Sequence, residues 1–126
     1  MPRYDARRFD PPAPVASVTL RTMDQSKRQP NVAMIIDSAA DVTMLPAFSA
    51  AQLGLQPDPQ RRYEVTAFDG NKSDTAAVEC EVVFLARAFR GKFGILDDEV
   101  GILGRDILNH LAIVLDGPRL TWREES

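Results

Sequence analysis

The sequence predicts a mainly β domain, a closed barrel or sandwich with one or two short helices. Three observations carry this. Apolar–polar alternation recurs in short stretches, as in Val78-Glu79-Cys80-Glu81-Val82. Turn signals such as Asp69-Gly70 and Asp116-Gly117-Pro118 separate those stretches. The chain has 126 residues, the size of one ordinary domain able to bury a core without staples.

Residues 1–13 read as a flexible tail, because Asp10-Pro11-Pro12-Ala13-Pro14 favours an extended form. The remainder, 14–126, reads as one domain. Val15–Leu20 is a strand, and Thr22–Asn31 a polar connection containing Pro30. Val32–Ile36 is a continuous apolar run, as expected of a strand covered on both faces. Val42–Leu45 is extended. Pro46 suits the first turn of a helix continuing through Phe48–Leu53, which Gly54 closes with a left-handed cap. Gln56–Arg62 reads as a loop, Tyr63–Phe68 as a strand, and Asp69-Gly70 as a hairpin turn. Thr75–Leu85 is β-like, Arg87–Gly91 a turn, Lys92–Leu96 a strand and Asp97-Asp98-Glu99 an acidic loop. A second helix is expected over Arg105–Leu111, then strands over Ala112–Leu115 and Arg119–Trp122.

Composition narrows the function. The net charge of −3 argues against a phosphate-wrapping nucleic-acid binder. The GxxG spacing of Gly101-Ile102-Leu103-Gly104 is a weak RNA-binding signal that the charge opposes. No apolar run approaches the ~20 residues of a membrane span. The first eight residues lack the apolar stretch of a secretory signal. The single cysteine, Cys80, excludes an internal disulfide, so a reducing, cytoplasmic setting is expected. The single histidine, His110, makes a His-rich metal centre impossible. Cys80 and His110 are expected to be structural or surface positions. The loop Asp97-Asp98-Glu99 is expected to be solvated rather than a cation site. Trp122 is expected either in the core or at an interface.

Asp37 stands out. It directly follows Met34-Ile35-Ile36, at the end of a buried strand, and small residues Ser38-Ala39-Ala40 come after it. A carboxylate so placed is costly unless hydrogen-bonded, and a tight turn would bring backbone N–H groups to it. That is a setting for acid–base chemistry.

Ile35-Ile36-Asp37-Ser38-Ala39-Ala40-Asp41, followed by Met44-Leu45-Pro46, resembles the first signature of retroviral-type (retropepsin-like) aspartic proteases. Gly101-Ile102-Leu103-Gly104-Arg105-Asp106-Ile107-Leu108 resembles the second, and the Asp69-Gly70 hairpin falls between them, where that family has its flap. The resemblance spans roughly residues 15–122. It implies a single-lobe barrel acting as a homodimeric endopeptidase on a peptide or polyprotein, with neither metal nor cofactor. Asp37 and its symmetry mate would lie about 3 Å apart, share one proton and activate a water. Ser38 would brace the pair across the dimer. Ala39 and Ala40 would complete the active-site loop. Asp41 would pair with Arg105 and contact substrate backbone. Ile102 would line a side-chain pocket, and Phe68, Asp69 and Gly70 would sit near the flap tip. Asp74-Thr75-Ala76-Ala77 echoes the first motif but follows polar residues, and reads as the descending arm of the flap hairpin. Asp106 reads as a first-turn helix charge.

One position departs from the family pattern: Ala39 stands where glycine is usual. Were the turn to need a positive φ there, alanine would cost about 1 kcal/mol. The alternative reading is therefore a catalytically weak dimerisation or peptide-binding module of the same fold.

Overall fold

The computed structural model describes residues 2–66 and 72–125. Among these residues, ten strands and two short helices follow in the order β1 (Tyr4–Asp5), β2 (Ala13–Arg21), β3 (Arg28–Ile36), β4 (Met44–Pro46), α1 (Ala47–Gln52), β5 (Asp58–Thr66), β6 (Lys72–Phe84), β7 (Arg87–Leu96), β8 (Gly101–Leu103), α2 (Arg105–Leu108), β9 (Ile113–Asp116) and β10 (Thr121–Glu124).

Six strands close a barrel in the order β2-β3-β8-β4-β7-β6, and the pairing of β6 back onto β2 completes the ring. The apolar side of each long strand turns inward. Ala16, Val18 and Leu20 of β2, Val32 and Met34 of β3, and Val78, Cys80, Val82 and Phe84 of β6 are all buried. The period of two in the sequence is the period of this inner face. Phe93, Leu103, Ile107 and Trp122 pack onto the same core. Trp122 thus resolves as a core residue, and its indole N–H donates to the Val15 carbonyl at 3.1 Å. Burial pushes the Cys80 thiol up to about 12, first by desolvation and then by the neighbouring Glu81 charge.

The barrel closes at an ion cluster. Arg21, Glu81 and Arg90 stand in register on three adjacent strands, β2, β6 and β7. Glu81 has 1% of its surface exposed, yet accepts from Arg21 at 2.6 Å, pairs with Arg90 at 3.3 Å and accepts from the Gln25 amide at 3.2 Å. Alternation along β6 places Glu81 opposite the core. The long side chains of its two cross-strand neighbours flank it there.

Several boundaries differ from the sequence expectations. β3 begins at Arg28 rather than after Asn31. Pro30 and Asn31 enter the strand through a bulge, where β2–β3 pairing jumps from Val18↔Val32 to Leu20↔Gln29 and Asn31 has φ 58°. A bulge is where a strand tolerates a residue without an N–H. β3 is fully covered on one face and partly on the other: Val32 and Met34 are buried, while Ala33 and Ile35 are half-buried. β5 begins at Asp58, inside the expected loop, with an irregular register before Arg62. The turn between β6 and β7 is Leu85-Ala86, not Arg87–Gly91, and both residues have positive φ. Such a turn matches strand twist but is usually signalled by Gly or Asn. α2 ends at Leu108, and the final strand starts two residues late, at Thr121.

The first residues of the N-terminal segment are paired. Tyr4 and Asp5 pair with Pro14 and Ala13 of β2. The Tyr4 N–H donates to the Leu120 carbonyl at 2.9 Å, the Trp122 N–H donates to the Pro2 carbonyl at 3.3 Å, and Arg3 bridges Thr121. Backbone pairing of this kind holds even a Pro-rich segment in place. Among the described residues, no helix is long and apolar enough to cross a membrane.

Candidate active site

β3 and β8 run parallel, with Ile35 beside Ile102 and Ile36 beside Leu103. Both strands end at one rim of the barrel, so the two sequence motifs meet there. Asp37 follows β3 directly, and its N–H donates to the Leu103 carbonyl at 3.1 Å. The chain then turns back. The Ala40 N–H donates to the Asp37 carbonyl at 3.2 Å, and the Ala39 N–H donates to Asp37 Oδ1 at 2.9 Å. This is a β-turn opened by an aspartate that bonds its own backbone two residues on. The small side chains expected to permit a tight turn do so. Asp37 is half-buried, and no other described residue bonds its carboxylate.

Ala39 is not among the described non-glycine residues with positive φ, which are Gln25, Asn31, Leu85, Ala86 and Leu120. The turn therefore imposes no left-handed strain on it.

The second motif locks the turn from below. The Arg105 N–H donates to the Ala40 carbonyl at 2.8 Å. Its guanidinium reaches the Ser38 carbonyl at 2.8 Å and the Ala39 carbonyl at 3.0 Å. The expected Asp41–Arg105 ion pair does not form. Asp41 is exposed, and Arg105 spends its donors on the carbonyls of the turn. A planar fork of donors suits two neighbouring carbonyls as well as a carboxylate.

Asp106 does more than sit in the first turn of α2. Its carboxylate accepts from the Thr43 N–H at 3.0 Å, the Thr43 hydroxyl at 2.6 Å and the Ile107 N–H at 2.9 Å. Thr43 is fully buried, and its hydroxyl accepts from the Gly104 N–H at 3.0 Å. The loop leaving the turn is thereby buckled to the start of α2. Sequence reasoning missed this tie because its partners lie 63 residues apart.

Among solved structures, the chain is similar to the EIAV protease complexed with the inhibitor HBY-793. Identity is 22% and the TM-score 0.57, over 78% of this chain and 86% of that one. The fold is retropepsin-like. No family model and no curated protein matches the chain.

Within this retropepsin-like barrel, Asp37, Ser38, Ala39, Ala40 and Arg105 come together at one rim. Ser38 and Ala39 are exposed. Ile102 is half-buried on β8, one strand from Ile35. Phe68, Asp69 and Gly70 lie outside the described residues. β5 and β6 pair antiparallel on either side of them, from Thr66↔Lys72 onward, and Thr75-Ala76-Ala77 belongs to β6. The Thr75 hydroxyl is engaged with the Ile95 backbone, accepting from its N–H at 2.9 Å. In the acidic loop, Asp98 Oδ1 accepts from the Val100 N–H and Glu99 pairs with Arg8, both at 3.3 Å. His110 faces the Phe89 ring at a centroid distance of 6.0 Å.

Gly104 is a point where only glycine fits. A Cβ there would fall 2.7 Å from the Val42 carbonyl carbon and 3.0 Å from the Ala40 oxygen, both rigid backbone. Gly104→Ala is expected to destabilise the fold by about 1–3 kcal/mol, read by urea denaturation. An unchanged midpoint would mean the loop retreats freely.

Proposed function

We propose that the chain is an aspartic endopeptidase of the retropepsin type, working as a homodimer on peptide or polyprotein substrates. The observation that carries this reading is the Asp37 turn. A single half-buried carboxylate is held at a barrel rim by bonds from both motifs, with its side chain engaged by one N–H only. The described residues offer one such turn, and a second copy related by a two-fold axis supplies the other.

In the proposed reaction the ionised Asp37 takes a proton from water as that water attacks the scissile carbonyl carbon. The protonated Asp37 of the second copy hydrogen-bonds the carbonyl oxygen. A proton then passes to the leaving nitrogen as the C–N bond breaks. The exposed Ser38 hydroxyl braces the two turns, Asp41 meets substrate backbone, and Ile102 borders a side-chain pocket. Phe68, Asp69 and Gly70 close over the peptide. The single, buried Cys80 fits a reducing, cytoplasmic setting.

The test is cleavage of an unstructured protein at mildly acid to neutral pH, with Asp37→Asn as the comparison. Equal rates would overturn the reading.

The competing reading, a catalytically weak module, rests on Ala39. Since Ala39 has no positive φ to relieve, Ala39→Gly is expected to leave cleavage within about threefold. It should cost on the order of 0.5–1 kcal/mol in stability through a looser unfolded chain. A sharp rise in proteolysis in Ala39→Gly would favour the weak module instead.

A further inference from the structure

We propose that the arginine-lined cavity of the N-terminal segment, built by Arg3, Arg7 and Arg8, binds an acidic side chain of the peptide about three residues from the one seated at Ile102. The proposal rests on the endopeptidase reading above, which gives Ile102 its role, and names a substrate class for it: peptides with a carboxylate near the apolar residue.

A cavity of about 590 Å³ lies beside β1, lined by Arg3, Tyr4, Asp5, Arg7, Arg8 and Val15 among others. Three arginines and one carboxylate meet there, on a chain whose net charge is −3. The carboxylate is already committed. Asp5 Oδ1 accepts from the Arg7 N–H at 2.8 Å and the Arg8 N–H at 3.0 Å, and Oδ2 pairs with Arg8 at 3.4 Å. Arg8 also reaches Glu99 at 3.3 Å. Arg3 and Arg7 are exposed, and their guanidinium groups make no hydrogen bond or ion pair among the described residues. Two cations of the cavity are thus free to take an anion.

Their backbone is held in advance. Tyr4 and Asp5 pair with Pro14 and Ala13 of β2, and the Tyr4 N–H donates to the Leu120 carbonyl. Asp5 then closes the turn that carries Arg7 and Arg8, as an aspartate bonding its own backbone does. Donors fixed before binding lose less freedom when a ligand arrives. A planar guanidinium matches a carboxylate in shape as well as charge.

The cavity is joined to the candidate active site by a row of side chains. Val15, which lines the cavity, is paired with Ile35, and Ile35 lies beside Ile102. Partners on adjacent strands share a face. All three are half-buried, while their neighbours Ala16, Met34 and Leu103 fill the core. Val15, Ile35 and Ile102 therefore form an apolar track on the outer face, two residues short of Asp37. The track spans two strand spacings, about 10 Å, which is the reach of roughly three extended residues. The Arg8–Glu99 pair ties the cavity to the loop that leads into Ile102.

Fluorescence anisotropy on the full Asp37→Asn chain reads binding without cleavage. The probes are labelled peptides with one apolar residue and one Glu placed two to four residues to either side, each beside its Gln counterpart. At a spacing of about three, the Glu peptide is expected to bind three- to tenfold tighter than the Gln peptide, roughly the scale of one or two exposed ion pairs. Arg3→Gln/Arg7→Gln should remove that preference. Lys27→Gln/Arg28→Gln, an equal loss of charge at exposed residues on the far end of the β2–β3 pair, should keep it. With both arginines in place, raising NaCl from about 50 mM to about 0.5 M should shrink the preference below about twofold. Glu and Gln peptides that bind alike at every spacing, or a preference that survives Arg3→Gln/Arg7→Gln, overturn the site. Inorganic phosphate held at these arginines without any peptide preference overturns it too, in favour of a free anion. If wild type cleaves, Asp37→Asn does not, and Glu and Gln peptides bind alike, the arginine site fails and the endopeptidase stands. If the arginine-dependent preference is found but wild type and Asp37→Asn cleave equally, the site stands and the endopeptidase fails.

Discussion

Replacing Asp37 by asparagine is expected to slow peptide-bond cleavage by about 10²–10⁴-fold, the range that a positioned acid–base group contributes. The thermal midpoint should move little. The reason is local. The Asp37 side chain has one structural duty in the turn, to accept the Ala39 N–H through Oδ1 at 2.9 Å. An asparagine carbonyl can accept that bond in the same place. The turn's other ties, from Ala40 to the Asp37 carbonyl and from Arg105 to three successive carbonyls, run through groups the substitution leaves alone. Only the second carboxylate oxygen changes its chemistry, from an acceptor able to bind a proton to an amide that cannot. Cleavage measured on an unstructured substrate, beside a melting curve of the same preparation, separates the two effects. Loss of both together would mean that Asp37 is a structural residue.

The largest effect on stability outside the apolar core is expected at the barrel closure. Arg21→Met would leave the Glu81 carboxylate almost without solvent and with one fewer partner, a situation that destabilises strongly. A fall in Tm on the order of 5 °C or more is expected at neutral pH. The dependence on pH identifies the cause. The hydrogen bond from Arg21, opposed in part by desolvation and aided by Gln25 and Arg90, holds Glu81 below its ordinary value of 4.5. A carboxyl lowered on folding contributes stability that is fully present above its unfolded value. That stability is lost as pH falls through the folded one. The gap in Tm between wild type and Arg21→Met should therefore be widest above about pH 5 and narrow on acidification below 4.5. A gap that stays constant with pH would assign the loss to the packing of the Arg21 stem alone.

Much of the barrel was legible because burial imposes a period of two. Val78, Cys80 and Val82 alternate in the sequence and line the core in the structure. The turn at Asp37 was legible for a related reason: an apolar strand, a carboxylate and three small residues leave few local conformations. What stayed hidden depends on contacts made far along the chain. Glu81 reads as a surface charge until its neighbours on β2 and β7 are known. Asp106 reads as a helix-start charge until Thr43 is placed against it. The Leu85-Ala86 turn carries no glycine or asparagine, so the chemistry that announces such turns is missing. The segment Pro2–Asp5 offered only a Pro-rich neighbourhood; it is held by pairing of Tyr4 and Asp5 with Pro14 and Ala13 and by bonds from Pro2 and Tyr4 to residues over a hundred positions away.

That last feature bears on the order in which the chain can be finished. Residues 2–4 emerge from the ribosome before the barrel strands, yet part of what holds them is bonds to Leu120, Thr121 and Trp122, which appear more than a hundred residues later. The barrel strands can pair while synthesis continues. The bonds from Pro2 and Tyr4 must wait until residues 120–122 have been made. Closing so long a loop is slow compared with pairing neighbours. Residues made before the barrel strands are thus among the last to settle, and a nascent chain stalled before position 120 would carry them unpaired on that side.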